Sequence, residues 1–382
     1  MQITPQQWSF WEKDLYLQGI DVTVLGAGIV GLSTAIFLKQ LRPSWKIQVL
    51  DQWTLGGGAT TRNAGFACFG SPTELLSDLT NQDEETTFQL VQARWNGLQL
   101  LQQTIDIGLA DYTPCGGYEL FFPEDAEAWE RVEKQLPYFN LMTKSVTGVD
   151  HAYQVLTPGQ SKLPFHDLKQ VVYMHHEARI HPGKMHQLLV SKAIGLSVPV
   201  IRGIEVEHLH TDGEMVQLTT PTHGILRTRQ VVVATNGFTP RLLPDLDIRP
   251  ARNQVLVTEP LPDIKWDGTF HYQEGYVYFR RIGQRILLGG MRHIDRQAEM
   301  TDNLAQTTVI QEALEHFLRH RLLNGRDVRI TDRWSGILGV GGQKLPILQR
   351  VAPNVIVAAR LGGMGVALGT GLGRQAAELT IS

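Results

Sequence analysis

The stretch Asp21-Val-Thr-Val-Leu-Gly26-Ala27-Gly28-Ile29-Val30-Gly31 constrains the fold of this chain more than any other. An apolar, β-branched run, Val22 to Leu25, leads straight into three glycines at G-x-G-x-x-G spacing. Leu32, Ala35, Ile36 and Leu38 then keep a helical period until Pro43 stops it. A second apolar run, Ile47 to Leu50, ends in Asp51 and Gln52, with Asp51 about twenty residues beyond Gly31. Strand, glycine turn, helix, strand and acidic tip within about 30 residues meet the requirements of a dinucleotide-binding βαβ unit. The first glycine permits the tight turn. The second lets backbone approach a pyrophosphate, and the third lets the helix pack closely on the strand. Ile29 and Val30 open that helix, whose free N–H groups and positive dipole end suit phosphate.

At 382 residues the chain has room for two domains and a sizeable core. A net charge of −3 gives no electrostatic case for nucleic acid or an anionic membrane surface. Two cysteines, Cys68 and Cys115, cannot build a disulfide framework or a zinc knuckle, which points to a reducing compartment. The first residues carry neither a basic nor an apolar leader, and no apolar run reaches transmembrane length. These features predict a soluble, cytoplasmic protein without membrane insertion.

Residues 1–20 form an aromatic lead-in expected to pack outside the first domain. A loop rich in glycine and hydroxyl groups follows at 56–66. Apolar residues from Phe88 to Leu109 alternate by threes and fours, predicting a long amphipathic helix, and 124–136 predicts a more polar one. A further helix opens at His181-Pro182-Gly183. The period then shortens: 198–228 reads as short strands with turns at Asp212-Gly213 and His223-Gly224. Gln230 to Ala234 is a buried strand ending in a second glycine turn, Thr235-Asn236-Gly237. Strands across 253–290 precede an amphipathic helix at 302–322, and a last strand, 355–359, leads into the glycine cluster 362–373 and a closing helix.

Three glycine-centred turns therefore align: 26–31, 234–237 and Gly362-Gly363-Met364-Gly365-Val366. One would serve a nicotinamide cofactor. Three, spread along the chain, suit a longer ligand such as FAD, and the third would set backbone N–H groups against charge developing on a flavin ring. The predicted fold class is α/β, a doubly wound, Rossmann-like FAD-binding domain interleaved with a substrate domain on a mixed, largely antiparallel sheet. The nucleotide domain would comprise 1–84, 150–240 and 325–382, and the substrate domain 85–149 and 241–324.

The residues that carry these turns resemble a known family. The motifs are the 26–31 fingerprint, Gly58-Ala-Thr60-Thr61-Arg62-Asn63-Ala64-Gly65-Phe66, Ala178-Arg-Ile-His181-Pro182, Val231 to Ala234, Leu345-Pro346 and Gly363-Met-Gly365-Val-Ala. Together they are similar to the D-amino-acid oxidase-like (DAO) superfamily of flavoproteins, which includes glycine oxidase, sarcosine oxidase and D-amino-acid dehydrogenase. The 58–66 loop and the tail look most like the γ-glutamylputrescine oxidoreductase branch. The resemblance implies FAD and removal of a hydride from a carbon bearing an amine, with hydrolysis of the imine product. It implies that Gly26, Gly28 and Gly31 hold the pyrophosphate and that Asp51 bonds the adenosine ribose. Val206 would contact adenine, while Thr61, Arg62, Asn63 and Ala64 would follow the ribityl chain and ring edge. Gly363, Met364 and Gly365 would sit at the pyrimidine end.

Departures from the family pattern are informative. No cysteine follows Cys115, so the flavin should be non-covalent. Leu287 stands where sarcosine-oxidase relatives place an oxygen-activating lysine, which favours a dehydrogenase over an oxidase and leaves the electron acceptor open. For an amine or amino-acid substrate, Tyr276, Tyr278 and Arg280 share one strand face, and Arg280 matches a carboxylate-binding arginine of glycine oxidase. Arg333 beside Trp334 is a further candidate. His175-His176 and His208/His210 lack completing ligands at metal spacing, so no metal is expected. The alternatives are an NAD(P)-dependent dehydrogenase built on the first turn alone, or a dinucleotide-binding protein without turnover.

Overall fold

In the computed structural model, which describes residues 8–382, the strand Val22–Leu25 is buried at all four positions. It lies within a six-stranded sheet ordered Ile347–Ala352, Val355–Ala359, Gln230–Val233, Val22–Leu25, Ile47–Asp51, Val200–Arg202. All neighbours are parallel except the edge strand Ile347–Ala352, which runs antiparallel to its partner. Parallel strands covered on both faces require unbroken apolar runs, and Val22–Leu25 and Val355–Ala359 supply them.

Helices Ile29–Leu41, Pro182–Gly195 and Gly365–Ile381 cover one face of this sheet. A three-stranded antiparallel sheet, His208–Asp212, Met215–Thr220 and Gly224–Thr228, covers the other with Val216, Leu218 and Leu226. The first and last of these helices touch through Gly369 and Gly373, where an added Cβ would lie 2.5 Å from Ile29 Cγ2 and 2.6 Å from Ser33 Cβ. Of the aromatic lead-in, the part before Trp8 lies outside the described residues. Trp8 itself packs 5.9 Å from His223, while Phe10 and Trp11 are exposed.

A second sheet has eight strands, ordered Ile330–Val340, Arg249–Thr258, Arg285–Gly290, Val277–Ile282, Thr269–Tyr272, Gly117–Phe121, Gln170–Met174, Tyr153–Leu156. Its pairings are antiparallel apart from Thr269–Tyr272 beside Gly117–Phe121. Phe270 and Phe279 stack on one face, with centroids 4.7 Å apart, and meet Ile310, Leu314 and Phe317 across a shared apolar core. The opposite face turns Asn253, Val255, His271 and Tyr278 towards the glycine turns of the first sheet.

The observed α/β architecture is the expected class, but its seams differ from the expected boundaries. Tyr153–Leu156, Gln170–Met174 and Ile330–Val340 fall within ranges assigned to the nucleotide domain, yet all pair into the eight-stranded sheet. The long helix Glu84–Thr104, assigned to the substrate domain, buries Leu90, Leu98 and Leu101 in the nucleotide core. Distant partners decide both: Ile330–Val340 pairs along almost its whole length with Arg249–Thr258. The helix expected at 124–136 runs on through Pro137 to Thr147, because Phe139, Met142 and Thr143 are buried beyond it.

Candidate active site

The first glycine turn is held from several sides. Gly26 (φ 101°) donates its N–H to the Leu50 carbonyl at 2.8 Å, and Ile29 N donates to Thr60 Oγ1 at 3.0 Å. Asp51 accepts from Ala27 N at 2.6 Å and Trp53 N at 2.8 Å, so its carboxylate braces the turn as well as facing outward. His186, which sequence reasoning missed, places a ring nitrogen 2.8 Å from the Ala27 carbonyl. Burial pushes its pKa down, favouring the neutral imidazole.

The second and third turns are joined by Asn236, whose backbone is left-handed at φ 48°. Its Oδ1 accepts from Arg360 N (3.2 Å) and Leu361 N (3.3 Å). The 58–66 loop is tied to the second sheet, with Arg62 Nη1 donating to the Ser335 carbonyl and Trp334 Nε1 to the Arg62 carbonyl, both at 2.9 Å.

All three turns and this loop line one cavity of about 850 Å³, which extends to the Asn253–Tyr278 face of the second sheet. Of the expected cofactor residues, all but Gly31, Thr61 and Gly237 line it. Gly31 instead forms the helix–turn contact, where a Cβ would come 1.9 Å from the Gly26 carbonyl oxygen. The Thr61 hydroxyl lies 3.4 Å from the carbonyls of Gly56 and Gly58, and Gly237 packs on the Leu338 carbonyl.

Helices Ile29–Leu41 and Gly365–Ile381 start on this cavity, at Gly28 and Met364, without a side-chain cap. Uncapped helix starts leave backbone N–H groups for an anionic or carbonyl-bearing ligand. A Cβ at Gly58 or Gly362 would meet nothing within 4 Å, so the space beside both is open. This cradle of bare backbone, at both ends of an elongated cavity, fits a dinucleotide with a polar ring.

The substrate candidates divide. Tyr276 and Tyr278 line the cavity, while Arg280 and Arg333 do not. Arg280 is 7 % exposed, and its guanidinium donates to the carbonyls of Ala64 (2.5 Å), Ile180 (3.1 Å) and Arg281 (3.3 Å). Burial, with Arg179 nearby, lowers its pKa to about 10. The expectation that Arg280 meets a substrate carboxylate is therefore corrected: its donors are spent on backbone carbonyls, tying Ala64 of the 58–66 loop to Ile180. Arg333 bonds Gln311 and Glu315 on the helix Thr308–Phe317, away from the cavity. The arginines that do line the cavity beside Tyr276 are Arg292 and Arg296. They sit 5.0 and 5.5 Å from the Tyr276 ring centre, and Arg296 Nη2 donates to the Tyr276 hydroxyl at 3.3 Å. Both lie in a turn-rich segment with no period, so nothing in the sequence pattern singled them out.

Leu287 is buried among Ala64, Val255 and Val257, leaving an apolar surface at that strand position. Cys68 lines the cavity, and burial together with Glu177 and Glu74 drives its thiol pKa well up, keeping it protonated. Cys68, Glu177 and His271 offer ligand-type atoms within 4.8 Å of one another, and the His271–Glu177 contact is a 2.9 Å hydrogen bond. Among the described residues neither His175-His176 nor His208/His210 joins such a group. No helix among them is long and apolar enough to cross a membrane.

Comparison with known proteins agrees with this geometry. The family model for FAD dependent oxidoreductases (DAO) matches residues 21–379. A probable oxidoreductase, OrdL, of Rhizobium meliloti is 24 % identical, covering 94 % of this chain and 83 % of its own. The structure of glycine oxidase from Geobacillus kaustophilus superposes with a TM-score of 0.76 at 19 % identity, covering 94 % of each chain. That of L-proline dehydrogenase from P. horikoshii gives 0.74 at 17 % identity, covering 95 % of this chain and 93 % of that one. The chain thus belongs to the DAO family of FAD-dependent oxidoreductases.

Proposed function

We propose that this protein oxidises the carbon next to an amine in an amino acid or related amine, with water hydrolysing the imine product. FAD, held without a covalent bond, supplies the two-electron acceptor. Gly26, Gly28, Ile29 and Val30 would hold its pyrophosphate, with Asp51 and Gln52 at the adenosine ribose and Val206 at the adenine. Thr60, Arg62, Asn63 and Ala64 would follow the ribityl chain, Ala234 to Asn236 would back the middle of the cofactor, and Gly362 to Val366 would sit at the pyrimidine end. Gly31, Thr61 and Gly237 support these residues from behind.

One observation carries the reading: a single cavity of about 850 Å³ joins the dinucleotide turn to Tyr278 on the second sheet and Tyr276 in the turn beside it. It has room for an elongated cofactor and a small substrate together. Arg292 and Arg296, which line the cavity with Tyr276, would take an anionic group of the substrate, the Tyr276 hydroxyl being held by Arg296. Leu287 places an alkyl side chain, not a cation, at that strand position, and its cross-strand neighbour Arg280 is bonded to backbone carbonyls, which favours an electron acceptor other than oxygen. The eight-stranded sheet would then be the substrate-binding unit, and the six-stranded sheet the cofactor-binding one.

The test is an anaerobic screen of D- and L-amino acids, N-methyl amino acids and polyamines against the holoenzyme. Bleaching of the flavin absorbance by an amine is the expected result, followed by slow reoxidation in air and fast reoxidation by a quinone or dye. No bleaching by any amine would overturn the reading.

A further inference from the structure

The buried group behind the cavity wall has a consequence for the proton that an amine substrate must lose. His271 stands on the strand Thr269–Tyr272, directly across from Tyr278, and lines the cavity although only 5 % exposed. One of its ring nitrogens, Nε2, lies 2.9 Å from Glu177 Oε2. The other, Nδ1, has no protein partner among the described residues. Its ring stands edge-on to Phe66, centroids 5.2 Å apart, at the end of the loop read as following the flavin.

Glu177 is built to serve this histidine. Its side chain is 2 % exposed, and its Oε2 also accepts from Thr269 Oγ1 at 2.5 Å. Its Oε1 is buried with no partner, so this carboxylate is stabilised by only two neutral or ionisable donors. A buried carboxylate in that condition favours positive charge on the adjacent ring. The backbone holds the residue in place: the Glu177 carbonyl accepts from Cys115 N and Gly116 N, at 3.2 and 3.0 Å.

We propose that His271 is the catalytic base that takes a proton from the substrate ammonium, and that Glu177 is its positioning residue. This rests on the amine-oxidising reading above. Glu177 fixes the tautomer by accepting the Nε2 proton, which leaves the Nδ1 lone pair free. On transfer, an N–H bond of the ammonium breaks and an N–H bond forms at Nδ1. The electron pair stays on the amine nitrogen, and the positive charge passes to the ring beside Glu177. Only the neutral amine can release its neighbouring C–H hydride readily, because the nitrogen lone pair must stabilise the developing positive charge.

The charged groups that face His271 set its titration. Glu177 precedes the strand Ala178–Arg179, Glu119 comes from the neighbouring strand Gly117–Phe121, and Glu74 from the helix Pro72–Asn81, where Arg94 and Lys344 partly offset it. The Cys68 thiol is neutral. Burial works to lower the histidine's pKa, but the carboxylates outweigh it and hold it above the usual value of 6.5. The free base therefore appears at a pH above 6.5 and persists at higher pH.

The experiment follows anaerobic flavin reduction against pH in stopped flow, using whichever amine bleaches the flavin, in wild type, His271→Asn and Glu177→Gln holoenzymes. In wild type the rate should climb through a midpoint above 6.5. His271→Asn should abolish that step and slow reduction about 100-fold or more near neutral pH. Its defect should narrow as the pH approaches the amine's own pKa, where solvent has already removed the proton. Glu177→Gln should move the midpoint down. ¹⁵N NMR of the histidine rings in the substrate-free holoenzyme supplies an arm that needs no turnover: neutral His271 should carry its proton on Nε2. A proton on Nδ1, or an unchanged pH step in His271→Asn, overturns the proposal. Failure of every amine to bleach the flavin instead overturns the amine-oxidising reading, and the NMR result still decides the tautomer on which the base role depends.

Discussion

Replacing Gly31 by alanine adds one methyl group, and the structure says where it lands. The new Cβ would lie 1.9 Å from the Gly26 carbonyl oxygen, 3.1 Å from its carbon and 3.2 Å from Val24 Cγ1. Real contacts of this kind do not fall below 3.0 Å, so turn and helix must part by about 1 Å. The turn has little room to retreat. Gly26 is bonded to Leu50 on one side, and on the other its own α-carbon faces the Ala234 carbonyl so closely that a Cβ there would approach to 2.7 Å. Overpacking costs about 1–3 kcal/mol, and two backbone walls put this site at the upper end. Alanine's better helix propensity returns up to ~1 kcal/mol, for a net loss of about 2 kcal/mol. Because the same shift displaces the turn and helix start proposed to hold the pyrophosphate, and with it the Ile29 N–H that Thr60 Oγ1 accepts, a comparable loss in cofactor affinity would weaken FAD binding roughly 30-fold. The assay is thermal unfolding with and without added FAD, together with flavin content after gel filtration. Gly195→Ala is the control: it lies at the end of the helix Pro182–Gly195 with nothing within 4 Å of its Cβ, so Tm should hold or rise. Wild-type flavin content and Tm in Gly31→Ala would refute the account of this turn.

Arg280→Met leaves the carbonyls of Ala64 and Ile180 buried without their donors, at about 1–3 kcal/mol each, so it should release FAD. The KM of any holoenzyme that remains should stay within about twofold, whereas a substrate-binding arginine would raise it tenfold. Substituting both Arg292 and Arg296 by methionine should raise KM at least about tenfold for an acidic amine while leaving kcat nearly unchanged, as loss of uniform binding does. Equal effects on acidic and uncharged amines would remove these arginines from the pocket's function. Burial raises the Glu119 carboxyl to about 7, against Ser71 and Thr73 donors that work to lower it. The folded chain thus holds this proton more tightly than the unfolded one, and stability should fall as pH climbs from 4.5 to 7, by about 3 kcal/mol. Denaturant titrations of Glu119→Gln across that range should show the decline flattened, and an unchanged slope would contradict the assignment.

The βαβ unit was legible because all of its signals are local. Strand, turn, helix and acidic tip lie within one contiguous segment, and each reports its own period or turn chemistry. The second and third glycine turns were legible for the same reason, since each follows a buried apolar strand. What escaped was pairing between distant segments. Nothing local in Ile330–Val340 says that it zips along Arg249–Thr258 in preference to the nucleotide sheet beside it. Strand alternation put Tyr276, Tyr278 and Arg280 on one strand face, but the strand begins at Val277, Tyr276 sits in the turn before it, and alternation does not say where the cavity ends. The carbonyls that consume Arg280 come from residues 64 and 180, which no spacing rule connects to it. His271 looked like an ordinary strand residue until Glu177 came into contact with it.

The six-stranded sheet also has a temporal consequence. Val22 pairs with Gln230, about two hundred residues later, and Val231 in turn with Val355. The cofactor seat is therefore a product of long-range closure, and such closures are slow because loop entropy is lost before contacts reward it. During synthesis the first turn emerges early and must wait, with its apolar strand unpartnered on one edge, until Gly365–Ile381 arrives to pack through Gly369 and Gly373. Until that moment the chain has strand edges open to wrong partners, the usual source of aggregation in proteins of this size. If FAD spans the early and late turns as proposed, it would act on folding as a clasp that traps the closed topology.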